Sequence, residues 1–399
     1  MRSRWGAMPD AAHPPIPRPR RSRPRGRLTG WLPVGAGTAA VALATLLAPG
    51  AARSAASQVY GPFILVAGLI LVGMVADRDG LFATIGHRLA VRAPNGGVLF
   101  VGACLVTAGV TAVLNLDTAV VFLTPVLVYA ARSRGVGEAP FAVACLLLAN
   151  AGSLLLPGSN LTNLIVLGHL RLSGGQFLHR MAPPWVAAVV VTATAVGIAE
   201  RARLRSTSRP GDAPERAVLG VGAVAVVVST VLVLALRAPA LPVAAVGISA
   251  VLVRLRTGDV DVPRVRRALG VPVLIGLFGL AVGLGTLGRQ WSGPASLLAH
   301  LDATGTAVVA AASSVLVNNL PAASLLAART PPHPFALLVG LDIGPNLFVT
   351  GSLAWVLWWR AVRETGADPP TTRAVVLGLL SVPVAIAAAL AVGAATGIA

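Results

Sequence analysis

The stretch LLANAGSLLLPGSNLTNLIVLGHL, Leu147–Leu170, sets Asn150, Ser153, Ser159, Asn160, Thr162 and Asn163 inside an apolar run that is broken at its middle by Pro157 and Gly158. A helix that only crosses a bilayer has no use for so many side-chain amides and hydroxyls. Each costs free energy in hydrocarbon unless it finds a partner. Proline and glycine at the centre interrupt the helix and free backbone groups that also need partners. Irregular backbone at membrane depth is tolerated only where protein or a water-filled cavity lines it.

The rest of the chain supplies the membrane setting. Of its 399 residues 55% are hydrophobic and 12% charged, and the mean hydropathy is +0.79. Soluble domains carry about 25% charged residues. Segments 31–49, 59–76, 183–199, 217–236, 270–288 and 374–399 approach or reach the length of near-uncharged chain that a spanning helix needs. The expected class is an all-α polytopic membrane protein. Residues 1–30 form an Arg- and Pro-rich tail, expected to be disordered and cytoplasmic, with no signal-peptide pattern. Cys104 and Cys145 lie in apolar runs and read as core residues. No Cys/His spacing suggests a metal site, and no cofactor is expected.

Every basic residue is arginine, so the positive-inside rule is easily applied. With the N-terminus cytoplasmic, twenty-six arginines fall on the inner side and six outside: Arg53, Arg171, Arg180, Arg237, Arg289 and Arg329. The net charge of +18 is therefore mostly an orientation signal, and nucleic acid is not an expected partner. This map makes 97–131 and 303–328 leave and return on one side. Their midpoints are polar, VLNLDTAVV (Val113–Val121) and VLVNNLPAA (Val315–Ala323), and both read as helical hairpins dipping to the midplane. Each is followed by a broken span, 139–170 and 335–359, the second containing DIGPNLFVTGSLA (Asp342–Ala354). Amphipathic connectors at 80–95 and 288–304 precede the hairpins.

The order of parts repeats, and the charge map starts the first hairpin from inside and the second from outside. The expected organisation is a first repeat over 31–200, a cytoplasmic linker at 201–216, and a linking helix with an inverted second repeat over 217–399. Paired interrupted helices in inverted halves point to the binding site of a secondary transporter. The candidate substrate cavity holds Asn115, Thr118, Asn150, Ser153, Ser159, Asn160, Thr162, Asn163, Asn318, Asn319, Asn346, Thr350 and Ser352, with no arginine among them. Singly, any of these is adequate interhelical glue. Clustered at four matched places they suit a neutral polyhydroxy substrate, because Asn, Ser and Thr both donate and accept. Asp117 and Asp342 are the two acids inside the hydrophobic region, and they are the candidates for proton coupling.

NLDTAVVFLTP (Asn115–Pro125), SLLLPGSNLTNLIV (Ser153–Val166), VLVNNLPAA and GPNLFVTGSLAWVLW (Gly344–Trp358) resemble the ion transporter superfamily, and within it the ArsB-type arsenite permeases, relatives of citrate and dicarboxylate carriers. The chain departs from that pattern at Leu116, where relatives often carry an acid, and at Asn150, where they often carry Asp. The resemblance implies efflux of arsenite or antimonite by proton exchange across the cytoplasmic membrane, in some members with a soluble ATPase subunit. A sodium- or proton-coupled permease for di- or tricarboxylates, or for another inorganic anion, is the alternative. The partners to expect are the lipid bilayer, a small inorganic or carboxylate substrate, and as further candidates the ATPase subunit and a second copy of the chain. No phosphate-binding loop is present and no nucleophile–base pair suggests an enzyme. A tag at Gly211 should be cytoplasmic and one at Ala399 should lie on the opposite side, as read by reagents that do not cross the membrane. Both tags on one side would overturn the inverted arrangement.

Overall fold

A computed structural model describes residues 32–168, 170, 172–205 and 220–397. The N-terminal tail, most of the 201–216 linker and Ala399 lie outside the described residues. The described chain is helical: α1 (Leu32–Leu47), α2 (Pro49–Arg78), α3 (Leu81–Arg92), α4 (Gly96–Val113), α5 (Leu116–Ser133), α6 (Glu138–Gly152), α7 (Leu161–Leu167), α8 (Gly174–Glu200), α9 (Val221–Ala235), α10 (Ala240–Arg256), α11 (Val262–Leu269), α12 (Val271–Gln290), α13 (Gly293–Ala299), α14 (Ala303–Val317), α15 (Asn319–Leu326), α16 (Pro334–Ile343), α17 (Leu353–Glu364) and α18 (Thr371–Ala395). Six helical stretches are long and apolar enough to cross a bilayer, with α11 and α12 taken together as one. Large apolar side chains such as Leu105 on α4, Val190 on α8, Val227 on α9 and Leu380 on α18 face outward. They form the lipid-facing surface of a multi-pass membrane protein.

Both expected breaks fall where proline and glycine stand. The first lies between α6 and α7, around a 3-10 turn at Pro157–Ser159, and the second between α16 and α17, after a turn at Gly344–Leu347. The arms of the first hairpin, α4 and α5, have 18 residues each. That is about 27 Å of helix, a spanning length and more than a dip to the midplane requires. The second hairpin is shorter, with arms of 15 and 8 residues.

Helix ends carry neutral caps, Asn95 on α4 and Ser173 on α8, and charged ones. Asp261 and Asp302 cap α11 and α14 by accepting from the backbone N–H of Arg264 and Gly305, at 2.9 and 2.7 Å. At the interior breaks the same job falls to Asn115, Asn160 and Asn318, which accept from Thr118, Thr162 and Leu320 N–H. A neutral amide satisfies the free N–H without burying a charge. Asn318 takes φ 75° to do so, a left-handed value at which Asn is more tolerant than most residues.

Ion pairs and backbone contacts gather the arginine-rich segments at one end of the bundle. Arg254 binds Asp79 at 2.5 Å and Asp259 at 3.0 Å, and Arg373 binds the buried Glu200 at 3.1 Å. Arg132 binds Glu138 at 2.6 Å and donates to the Thr365 carbonyl. On the loop before α11 the Thr257 hydroxyl and Arg254 hold the Asp259 carboxyl below its ordinary range. About 30 Å away along the 20 residues of α12, Arg289 reaches Gln58 on α2 at 2.6 Å. Gln58 in turn donates to the carbonyls of Ile165 and Ala327, near the ends of α7 and α15.

Each break packs against the first arm of its own hairpin through a glycine. A methyl group on Gly152 would stand 3.2 Å from Ala108 of α4, and one on Gly344 would stand 2.5 Å from Ala311 of α14. Gly344→Leu should therefore cost about 1–3 kcal/mol through overpacking. The readout is a lowered thermal unfolding midpoint in detergent, with Gly109→Leu, which faces open space, far less affected.

Candidate functional site

The broken helices meet at the centre of the fold, and their polar side chains form one buried network. Helix α6 ends at Gly152, which strands its last carbonyls. The Asn346 amide donates to Leu147 O at 2.8 Å, the Ser153 hydroxyl to Asn150 O at 2.7 Å, and Trp185 of α8 to Gly152 O at 3.0 Å. Asn163, one turn into α7, reaches back to Ser153 O and Leu156 O at 2.7 and 3.0 Å. The Ser159 hydroxyl lies against the same two carbonyls. Trp355 stabilises the other break by donating to Pro345 O at 2.9 Å.

Across the two halves, Asn150 donates to the Asn346 side-chain oxygen at 2.8 Å. Asp342 on α16 accepts from Asn160 at 2.9 Å and from the Thr162 hydroxyl at 2.6 Å, both through Oδ1. Asn160 also donates to the Ser153 hydroxyl oxygen at 3.2 Å. Asn150, Ser153, Ser159, Thr162, Asn163, Asp342 and Asn346 are all fully buried, and Asn160 is nearly so. The network is short of donors. Asp342 Oδ2, Asn150 Oδ1 and Asn163 Oδ1 are buried without a hydrogen-bond partner. Orphan acceptors in a low-dielectric interior are costly, and this makes the cluster a candidate ligand site.

The other candidate residues fall elsewhere. At the second hairpin tip Asn318 is only part-buried and Thr350 is exposed, its hydroxyl donating to Val315 O at 2.6 Å. Asn319 N–H bonds Gly351 O at 2.9 Å, and the buried Ser352 hydroxyl has no partner. At the first tip Asn115 and Thr118 are buried, with Asn115 Nδ2 and Thr118 Oγ1 unpartnered. The expectation of a single cavity free of arginine does not hold. Asp117 and Thr118 line a cavity of about 400 Å³ shared with Arg264, Arg267 and Arg360, and Asp342 is not in its lining. The sequence reading missed those arginines because it absorbed them into the charge map. Their place on α11 and α17, far apart in the chain, carried no local signal.

A second cavity, of about 570 Å³, lies between Gln58–Leu65 of α2, Pro157 and Leu164 of the first break, and Val233–Leu241 around the α9–α10 turn. Helix α2 relates the two cavities to the break. Its residues up to Leu65 line the second, Ile70 and Met74 line the first, and Leu69 between them lies 3.4 Å from where a methyl group on Gly158 would sit. Cys104 and Cys145 are buried on α4 and α6, outside the polar cluster, with the Thr124 hydroxyl 3.4 Å from the Cys145 sulfur. Among the described residues no group of His, Cys, Asp and Glu is placed to hold a metal ion.

The sequence model of the citrate transporter family, CitMHS, matches residues 28–359. The arsenical pump membrane protein of Escherichia coli is 24% identical over 74% of this chain and 77% of its own. That of Yersinia enterocolitica is 26% identical over the same shares. A silicon efflux transporter of Oryza sativa subsp. japonica is 32% identical over 30% of this chain and 24% of its own. The crystal structure of the YdaH transporter of Alcanivorax borkumensis superimposes with a TM-score of 0.54 at 14% identity, covering 87% of this chain and 88% of that one, a likeness of fold.

Asn346 sits at the join of the two halves. Asn346→Leu leaves the Asn150 amide with only its 3.4 Å bond to Leu146 O and takes a side-chain donor from the Leu147 carbonyl, and should cost about 1–3 kcal/mol in all. Thr350→Val, at an exposed hydroxyl, should change the detergent unfolding midpoint much less.

Proposed function

The chain belongs to the citrate transporter family, and on that premise we propose that it is a secondary transporter of the cytoplasmic membrane that exports arsenite or antimonite in exchange for protons. Its substrate site is the polar network between the broken helices. The observation that carries this reading is the donor shortage around Asp342: three buried acceptors, Asp342 Oδ2, Asn150 Oδ1 and Asn163 Oδ1, stand unpaired in one cluster. Arsenite in neutral water is an uncharged trihydroxide, and its O–H groups supply donors without bringing a charge into the interior. The relatives named for arsenicals and for silicon support the assignment, since both elements form uncharged hydroxides in water.

Asp342 is the exchange site. It can hold one proton or accept one substrate hydroxyl at Oδ2, and competition between the two couples their movement. The contacts between the halves, Asn150 with Asn346 and Asp342 with Asn160 and Thr162, close the site in the state described. The cavities above and below it along α2 are the two access routes, and parting those contacts opens one route at a time. The repeated order of hairpin, broken helix and long helix, with the first hairpin rooted at the arginine-rich end and the second near Gln58 and Arg289, fits an inverted repeat. On this reading the arginine-rich end is cytoplasmic, as is the N-terminus. The hairpin tips, through Asn115, Thr118, Asn318, Asn319, Thr350 and Ser352, flank the routes to the site.

In everted vesicles with an imposed pH gradient, the protein should accumulate As(III) in preference to succinate, citrate or sulfate. Asp342→Asn should reach the membrane and lose proton-driven accumulation. Wild-type transport by that variant would remove Asp342 from coupling, and accumulation of a carboxylate or sulfate in place of As(III) would make the chain an anion carrier.

A further inference from the structure

Two short helices run from the polar breaks toward the face opposite the arginine-rich end. Helix α7 begins at Asn160 and Thr162, which hold Asp342, and α15 begins at Asn318 in the second hairpin tip. They pack on each other, and their seven and eight residues make rods about 10 and 12 Å long. Both end at one side chain. Gln58 of α2 donates from Nε2 to Ile165 O and to Ala327 O, each at 3.1 Å. Ile165 lies in the last turn of α7 and Ala327 caps α15, so both carbonyls belong to helix ends, where partners run out.

The other end of the same amide faces a charge. Gln58 Oε1 accepts from Arg289 Nη2 at 2.6 Å, which fixes the amide's orientation, since a guanidinium only donates and a carbonyl only accepts. Arg289 is held in turn. Its Nη1 donates to Gly285 O at 2.8 Å, and its own carbonyl accepts from Arg329 at 3.1 Å. Gly288 lets α12 approach α15 closely here, because a methyl group on it would stand 2.6 Å from Leu325 O. Among the described residues no carboxylate pairs with Arg289. Its charge instead stands behind the amide, where it polarises the Gln58 N–H bonds and complements the negative ends of two helices.

Glue between helices explains one such bond, but not one amide shared by both half-helices at the edge of a cavity. Gln58, Leu164, Leu167 and Gly168 line the cavity of about 570 Å³, with Pro157 deeper in. Thr162 bonds Asp342 one turn before Ile165, so α7 is fastened at both ends. A tilt that draws its outer end away from α2 carries Asn160 and Thr162 with it. We propose that Gln58, backed by Arg289, is a positioning residue of transport that latches the route through this cavity. With the latch made, α7 and α15 stay together and the bonds to Asp342 are kept. With Gln58 released from the two carbonyls, α7 swings, the cavity widens toward the network, and Asp342 loses its partners on α7. This role rests on reading the two cavities as alternating routes and not on the identity of the cargo.

The test uses the full chain carrying Cys104→Ser and Cys145→Ser, in nanodiscs that leave both faces in water, with a water-soluble maleimide as the probe. Leu164→Cys reports on the latched cavity and Leu357→Cys on the cavity at the arginine-rich end; both positions are half-buried. Gln58→Glu keeps the size of the side chain and its Arg289 partner but sets a carboxylate against the two carbonyls. It should raise the labelling rate at position 164 about tenfold and lower that at position 357, the shift expected from losing two hydrogen bonds that favour one state. Gln58→Leu should act in the same direction. General loosening would raise both rates, and the thermal midpoint of each variant reports folding separately. Asn160→Ala with Thr162→Val frees α7 at its other end and should move the two rates the same way. Adding Gln58→Glu to that pair should then change little, because one helix carries both effects. Rates that stay unchanged or rise together in the Gln58 variants overturn the latch. If Asn160→Ala with Thr162→Val shifts them in opposite directions while Gln58→Glu does not, the latch alone falls. If neither set does so, the reading of two alternating routes falls with it.

Discussion

One carboxylate oxygen ties the first broken helix of this protein to the second. Asp342 Oδ1 takes hydrogen bonds from Thr162 and Asn160, which stand at the start of α7, while its own helix α16 belongs to the other half. In hydrocarbon surroundings such bonds have no water to replace them, so breaking them leaves a buried acid and two buried donors unpaired. That constraint dictates the neighbourhood. The Asn150–Asn346 contact, the Ser153 hydroxyl and the backward reach of Asn163 each satisfy a carbonyl or amide that the helix breaks would otherwise orphan. A region that must be irregular to hold polar groups is thereby kept rigid by those same groups.

Rigidity and mobility are divided between side-chain bonds and small-residue packing. Two tryptophans pin the broken ends, Trp185 at Gly152 O and Trp355 at Pro345 O, and a third, Trp358, donates to Ala142 O near the start of α6 at 2.7 Å. Glycines let backbones approach closely where Gly152 meets Ala108 and Gly344 meets Ala311. The contacts between the halves in the network are few and directional by comparison.

The two polar regions differ in charge. The network lacks donors and contains no arginine. The cavity at the first hairpin tip has three guanidiniums in its lining. Asp117 and Asp342, alike as intramembrane acids, are therefore in different electrostatic settings. Asp342 sits among neutral amides and hydroxyls, and Asp117 lines a cavity whose wall also carries arginines.

Much was determined by the residues themselves. Composition and arginine placement put the chain in a membrane, and the ion pairs Asp79–Arg254 and Glu200–Arg373 gather segments that the charge map had placed on one face. Pro157, Gly158, Gly344 and Pro345 stand at the two breaks among polar residues, whereas the Gly61–Pro62 pair in apolar surroundings lies inside α2 without ending it. The amides near them were legible as a polar centre, for an unpartnered amide is too costly in hydrocarbon to be incidental. Only the tertiary structure decided how those residues divide. Asn115, Asn160 and Asn318 cap interior helices, Thr350 is exposed, and Asp117 lines a cavity apart from the network that holds Asp342. Arg264 and Arg360 line one cavity although α11 and α17 lie about ninety residues apart in the chain, a juxtaposition that follows no local period. Helix signals are local and therefore readable along the chain. The sharing of a cavity depends on which faces of distant helices meet, and that is set by packing.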